Sequence, residues 1–173
     1  DYVGDTIYKG TTLQTIVTNN TPIEWAYQTN PLISINLSVF NKKNLYECLD
    51  EYFQTEQIDG WKDKNNNNRT ILKKIDIIKL PKILIITMKQ PYDHKIYIKY
   101  PFNLDMKKYT SKQLKNNTIY SLNSVVIHSN LHYYIYCKEG DKWFMYNDEN
   151  RSYAWTSNWM KKPAYMLVYK REY

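Results

Sequence analysis

The chain has 173 residues, with 24 basic against 17 acidic side chains and a formal net charge of +7, enough for the core of one domain or of part of a larger one. Nearly all the positive charge is lysine interspersed with acids, and Arg69, Arg151 and Arg171 are the only arginines, a poor match to the clustered cations that release counterions from nucleic acid. No apolar run, Ile83 to Ile86 included, approaches the length needed to span a bilayer, and the segment Asp1 to Asp5 has neither a charged n-region nor an apolar h-region, so neither a membrane anchor nor an export signal is expected.

Two cysteines, Cys48 and Cys137, cannot build a disulfide framework, which makes a reducing, intracellular compartment the default. Four glycines form neither a Walker loop nor a dinucleotide fingerprint, and no Cys-x-x-Cys or His-Glu-x-x-His pair is present. No cofactor and no metal are therefore expected.

In chain order, residues 1–40 read as short paired strands. Leu13, Thr15 and Val17 alternate, as do Leu32, Ser34 and Asn36 against Ile33, Ile35 and Leu37, with turns at Asn19 to Pro22 and at Asn30-Pro31. Residues 45–55 carry the one helical period, with Leu45, Cys48, Leu49, Tyr52 and Phe53 on a single apolar stripe. Asn44 is placed to cap that helix, and Glu47 three residues on is placed to return the bond as a capping box does. Trp61 to Thr70, with asparagine at 65–68, reads as an exposed loop or hairpin tip.

From Ile71 onward the pattern is strand after strand. Lys82 to Lys89 is almost continuously apolar, as in a central strand covered on both faces. Lys95 to Tyr100, Ile119 to His128, Leu131 to Cys137, Lys142 to Tyr146 and Pro163 to Lys170 follow, and Lys138 to Asp141 is a hairpin turn. The expected class is α+β: an antiparallel sheet with one marked helix.

Chemistry starts with the histidines. His94 lies in a turn, His128 closes a strand and His132 opens the next. If the strands from His132 and from Lys142 pair as a hairpin, His132 and Asn147 meet at its open end. An imidazole oriented by an Asn or Asp is two-thirds of a nucleophilic triad, lacking the nucleophile.

Four blocks in order carry a family resemblance: Tyr120-Ser-Leu-Asn-Ser-Val-Val-Ile-His128-Ser, His132-Tyr133-Tyr-Ile-Tyr, Trp143-Phe-Met-Tyr-Asn147-Asp148 and Ala164-Tyr165-Met-Leu-Val-Tyr169. Together they resemble the closing part of the ubiquitin-specific protease catalytic domain. The helix from Leu45 to Ile58, the segment Ile78 to Ile85 with Pro81, Tyr100-Pro101-Phe102 and, more faintly, Tyr8-Lys9-Gly10 with Ile33 to Leu37 are similar to earlier blocks of the same family.

The resemblance implies a papain-like cysteine protease fold, of which residues 1–173 form the carboxy-terminal part: 1–80 fingers-like with the helix, 81–173 a palm-like sheet with the His and Asn blocks. It implies deubiquitinase activity, with His132 the catalytic histidine, Asn147 the residue that orients it and Asp148 the acid that follows. Tyr133 matches the aromatic beside the histidine that shapes the channel for the substrate's terminal glycines. Leu131 stands where the family has glycine, and the loop between the two histidines is shortened to Ser129-Asn130-Leu131. These two departures pull in opposite directions: a Cβ there narrows the channel, whereas a shorter loop leaves the site open. Glu56 and Asp148 are acids suited to ubiquitin's basic tail. Ubiquitin or a ubiquitin-like modifier is the implied partner, along with the missing amino-terminal lobe, in the cytoplasm or nucleus.

Three further departures bear on that reading. The block that carries the family's nucleophilic cysteine is absent, and Cys48 and Cys137 read as core thiols. Where many members hold zinc on two Cys-x-x-Cys pairs, this chain has Thr18-Asn-Asn-Thr21 and Asp63-Lys-Asn-Asn66. The family's Arg-Phe after the central strand is Lys89-Gln90, which removes a packing aromatic. Two other functions remain open on the residues: a catalytically inactive ubiquitin-binding or scaffolding module, and a lysine-rich nucleic-acid binder.

Overall fold

A computed structural model describes residues 7–18, 24–63, 65–114 and 117–171. The segment Asp1 to Asp5 and residues 19–22, where the sequence suggests a turn, lie outside them, as does Lys64 in the second zinc-like position. Among the described residues no helix is long and apolar enough to cross a membrane.

Strands β1 (Gly10–Thr18), β2 (Trp25–Leu32), β4 (Glu56–Lys62) and β5 (Asn68–Lys79) make a four-stranded antiparallel sheet ordered β2-β1-β5-β4. Gly10 opens β1 where another chain segment crosses it: a Cβ there would stand 2.5 Å from the Lys79 carbonyl oxygen and 2.8 Å from Pro81 Cδ. No side chain fits that gap without displacing backbone.

Asp63 organises the β4–β5 tip. Its carboxylate accepts the N–H groups of Asn65 (2.8 Å) and Asn67 (2.9 Å) and pairs with Arg69 Nε at 2.8 Å. The Asn67 amide, then the Arg69 guanidinium, hold this carboxyl down at about 2. Because the folded value is depressed, the tip is held above the ordinary carboxylate range and released as pH falls toward 2. Asp63→Ala is expected to speed hydrogen exchange at 65–67 without moving the global melting transition, and acidification of the parent to about pH 4 is expected to leave those amides protected.

The second sheet runs β11-β10-β9-β8-β12-β6-β3, with β7 (Asn103–Asp105) paired to the free part of β8. Its strands are β3 (Ser34–Ser38), β6 (Ile83–Lys89), β8 (Ile119–Ser129), β9 (His132–Glu139), β10 (Lys142–Asn147), β11 (Asn150–Tyr153) and β12 (Met166–Arg171). The antiparallel expectation is corrected at one edge: β3 pairs with β6 in parallel, Ile35 opposite Ile86. Only a return through distant chain places β3 there, and turn residues carry no signal of it. A second correction concerns Lys95 to Tyr100, which forms a single bridge, Asn44 with Lys99, in place of a strand.

Along β6 Leu84, Ile86 and Met88 are buried while Ile83, Ile85 and Thr87 are half-buried. One face is therefore fully covered and the other partly, where the apolar run suggested two covered faces. The covered face continues through Val125, Ile127, Tyr136, Trp143 and Leu167.

Helix α1 (Leu45–Phe53) joins the same core by Leu45, Cys48, Leu49 and Phe53, with Tyr52 at the rim. Asn44 Oδ1 accepts the Glu47 N–H at 3.1 Å. The Glu47 carboxylate returns to the Lys43 N–H at 2.8 Å, one residue before the position a capping box uses. The short helix α2 (Thr156–Trp159) is pinned by Trp159, fully buried between the rings of Trp143 (4.5 Å) and Tyr136 (5.3 Å). Sequence periodicity had no means of finding a four-residue helix.

Candidate active site

Two tight hairpins build the site. Ser129 pairs with His132, so the β8–β9 turn is Asn130-Leu131, and Asn147 pairs with Asn150, so the β10–β11 turn is Asp148-Glu149. Asn130 (φ 56°) and Asp148 (φ 51°) take the left-handed positions, which Asn and Asp tolerate better than other side chains that carry a Cβ. Leu131 thus replaces glycine without backbone strain, and its side chain is fully exposed.

The β9–β10 ladder runs to Tyr146 opposite Ile135. One further step sets Asn147 opposite Tyr134, on the face shared by every second residue of β9, His132 included. The two side chains meet diagonally: His132 Nε2 lies 2.5 Å from Asn147 Oδ1. A carbonyl oxygen only accepts, so the proton sits on Nε2 and the lone pair on Nδ1, which no described residue hydrogen-bonds. Asp148 Oδ2 is 3.8 Å from the same Nε2 and largely exposed.

Tyr134 stacks on His132 with ring centres 6.5 Å apart. The Lys162 ammonium donates to the hydroxyls of Tyr134 (3.2 Å) and Tyr136 (3.1 Å). Burial alone would lower the Lys162 pKa, but these hydroxyls outweigh it and leave it raised. Nothing in the sequence signalled Lys162 as part of the site.

Tyr133 points to the opposite face of β9. Its ring lies flat on His128, 4.1 Å between centres, and Tyr165 stands edge-on to both. Desolvation first, then the neighbouring Tyr165 hydroxyl, push the Tyr133 hydroxyl above the usual phenol range. A cavity of 470 Å³ opens beside this cluster, between Asn36, Thr87 and Tyr92, and another of 620 Å³ lies between Tyr92, Leu131 and Lys162.

Glu56 is not part of this constellation. It sits exposed on β4 of the four-stranded sheet, 3.6 Å from Lys73. Neither cysteine is placed to serve His132: Cys48 is buried on α1, where burial pushes its thiol up to about 11, the reverse of an activated nucleophile. Cys137 lies opposite Phe144 and Ser124 on the face of β9 that His132 does not share. Among the described residues no three His, Cys, Asp or Glu side chains converge as a metal site.

The sequence profile of the ubiquitin carboxyl-terminal hydrolase family matches residues 5–169. Ubiquitin carboxyl-terminal hydrolase 8 of Saccharomyces cerevisiae is 29% identical over 95% of this chain, and hydrolase 25 of Arabidopsis thaliana 28% identical over 81%. These matches span only 40% and 24% of those proteins. Among solved structures, a chain of the SAGA DUB module containing Ubp8, bound to monoubiquitin, superposes with a TM-score of 0.84 at 27% identity, covering 97% of this chain and 41% of that one. The same module bound to ubiquitin aldehyde gives 0.82. The fold is thus the papain-like α+β architecture of those hydrolases.

Proposed function

The chain belongs to the ubiquitin carboxyl-terminal hydrolase family, and from that premise we propose that it is the histidine-bearing part of a cysteine-type deubiquitinase whose nucleophile lies outside this chain. The observation that carries the reading is the His132–Asn147 pair, 2.5 Å apart on one face of a hairpin end. A match covering 40% of the yeast hydrolase is consistent with a cysteine contributed by an amino-terminal lobe.

In this mechanism His132 Nδ1 takes the proton of the incoming cysteine thiol, and the thiolate attacks the carbonyl carbon of the isopeptide bond after ubiquitin's last glycine. Asn147 holds Nε2–H, stabilising the imidazolium and its orientation. The tetrahedral adduct collapses as His132 returns the proton to the departing lysine amine, leaving a thioester. Water, deprotonated by the same nitrogen, then releases the ubiquitin carboxylate and the thiol. Tyr133 and Leu131 flank the approach of the tail, and Asp148 adds negative charge at its mouth. Glu56, exposed on the four-stranded sheet beside Lys73, has no part in this path.

A second reading, a ubiquitin-binding module without catalysis, draws on the placement of Cys48 and Cys137 away from His132. Full-length protein treated with ubiquitin bearing a carboxy-terminal electrophile separates the two. A covalent adduct supports the enzyme; binding with no adduct supports the module. The family assignment and the ubiquitin-bound neighbours favour ubiquitin as the ligand in either case.

A further inference from the structure

Gln90 occupies a position where the family resemblance calls for an aromatic, and the structure gives its side chain a specific task. Nε2 donates to the carbonyls of Ile96 and Ala164, each at 3.0 Å, and Oε1 accepts the Ile96 N–H at 2.8 Å. One amide therefore uses its donors and its acceptor together. It ties the end of β6 to the return limb of loop 91–95 and to the residue before Tyr165.

Each of those attachments leads to the walls of the two cavities beside the candidate active site, the second of which is lined by Leu131, Lys162 and Tyr134, the ring stacked on His132. Loop 91–95 carries Tyr92 and Lys95, which line both cavities beside the Tyr133–His128 stack. Tyr165, next to the clamped Ala164, stands 5.3 Å from the Tyr133 ring. Main-chain bonds extend the junction: Met88 N–H donates to the Tyr165 carbonyl at 2.9 Å, and Tyr165 N–H to that of Val126 at 2.8 Å. Loop, aromatic stack and strand ends thus share one anchoring side chain. A phenylalanine would fill the same volume without fixing any of these carbonyls.

We propose that Gln90 is the positioning residue of the passage to His132: it closes the neck of loop 91–95 and holds Tyr165 against the Tyr133–His128 stack, which fixes the width of the approach for the extended tail of the substrate. The proposal rests on the deubiquitinase reading of this site. It places the effect on substrate engagement and not on the chemical step, because Gln90 touches neither His132 nor Asn147.

The test uses the full-length protein with Gln90→Met, which keeps length and packing but loses all three hydrogen bonds, and Gln90→Glu, which keeps only the acceptor. For a ubiquitin carboxy-terminal amide, KM is expected to rise about tenfold in both variants with kcat within about twofold of the parent. Hydrogen exchange at the Ile96 amide is expected to quicken by about tenfold. An unchanged KM in Gln90→Met despite faster exchange at Ile96 overturns the proposal, as does unchanged exchange. If the parent protein cleaves nothing, the deubiquitinase reading fails on its own account, and the comparison passes to ubiquitin affinity: a Kd raised about tenfold by Gln90→Met supports the clamp, and an equal Kd overturns it.

Discussion

On the proposed mechanism, in which one nitrogen serves as base toward the thiol and as acid toward the leaving amine, His132→Ala in the full-length protein is expected to lower kcat/KM for a ubiquitin carboxy-terminal amide by about 10³-fold or more. The fold is expected to persist, because the imidazole is half-exposed at a strand end and its removal opens no cavity in the core. Asn147→Ala keeps the imidazole but loses the acceptor that sets its tautomer. A fall of about 10–100-fold in kcat with KM little changed is expected there.

Asp148 provides the internal control. At 3.8 Å from Nε2 and largely exposed, it forms a surface ion pair with His132 only when the ring is charged, and such pairs are worth about 0–1 kcal/mol. Asp148→Asn is accordingly expected to change kcat by less than about threefold. Steady-state kinetics on the three variants checks the assignment. An Asp148→Asn loss as large as that of Asn147→Ala would mean that the neighbouring acid, not Asn147, orients the histidine.

The second large effect is on stability. Trp159→Ala empties the space between Trp143, Tyr136 and Phe102, a truncation that costs about 3–5 kcal/mol. For a chain of this size the midpoint of thermal unfolding is expected to drop by on the order of 10 °C. Trp159→Phe is expected to cost much less. The indole Nε1–H is buried with no hydrogen-bond partner among the described residues, so phenylalanine gives up some packing but also an unsatisfied donor. Thermal unfolding of both variants beside the parent measures the difference, and equal losses would show that the indole's volume alone matters. The Ala variant is also expected to loosen the site, because Tyr136, against which Trp159 stacks, shares Lys162 with Tyr134, the ring stacked on His132.

The legible parts of this protein are those where a local period or a short turn carries the signal. The stripe of α1, its Asn44 cap, the hairpin turn at Gly140 (φ 57°) and the strand alternation that brings Asn147 to the face of His132 all follow from residues a few places apart. The hairpin logic also located the candidate site, since a tight β9–β10 turn leaves its open end at a fixed register. Other contacts lay beyond such reasoning. The ladder of β3 on β6 joins Ile35 to Ile86 in parallel, and α2 is held by packing rather than by any helical period of its own. Lys95 to Tyr100 has strand-forming residues, yet Gln90 and the α1 entry take its backbone hydrogen bonds. Glu56, an acid with no positional signal beyond its charge, belongs to the other sheet.

By itself, then, the sequence determined the class of the elements, the family and the pairing of His132 with Asn147, because side-chain alternation and turn chemistry act over a few residues and leave a readable trace. Tertiary structure alone decided how the approach to that pair is walled. Gln90 reaches Ala164 across 74 positions of chain, and Lys162 meets Tyr134 across 28. Hydrogen bonds of that separation depend on where the whole sheet sets its strand ends, and no local pattern in the residues encodes them.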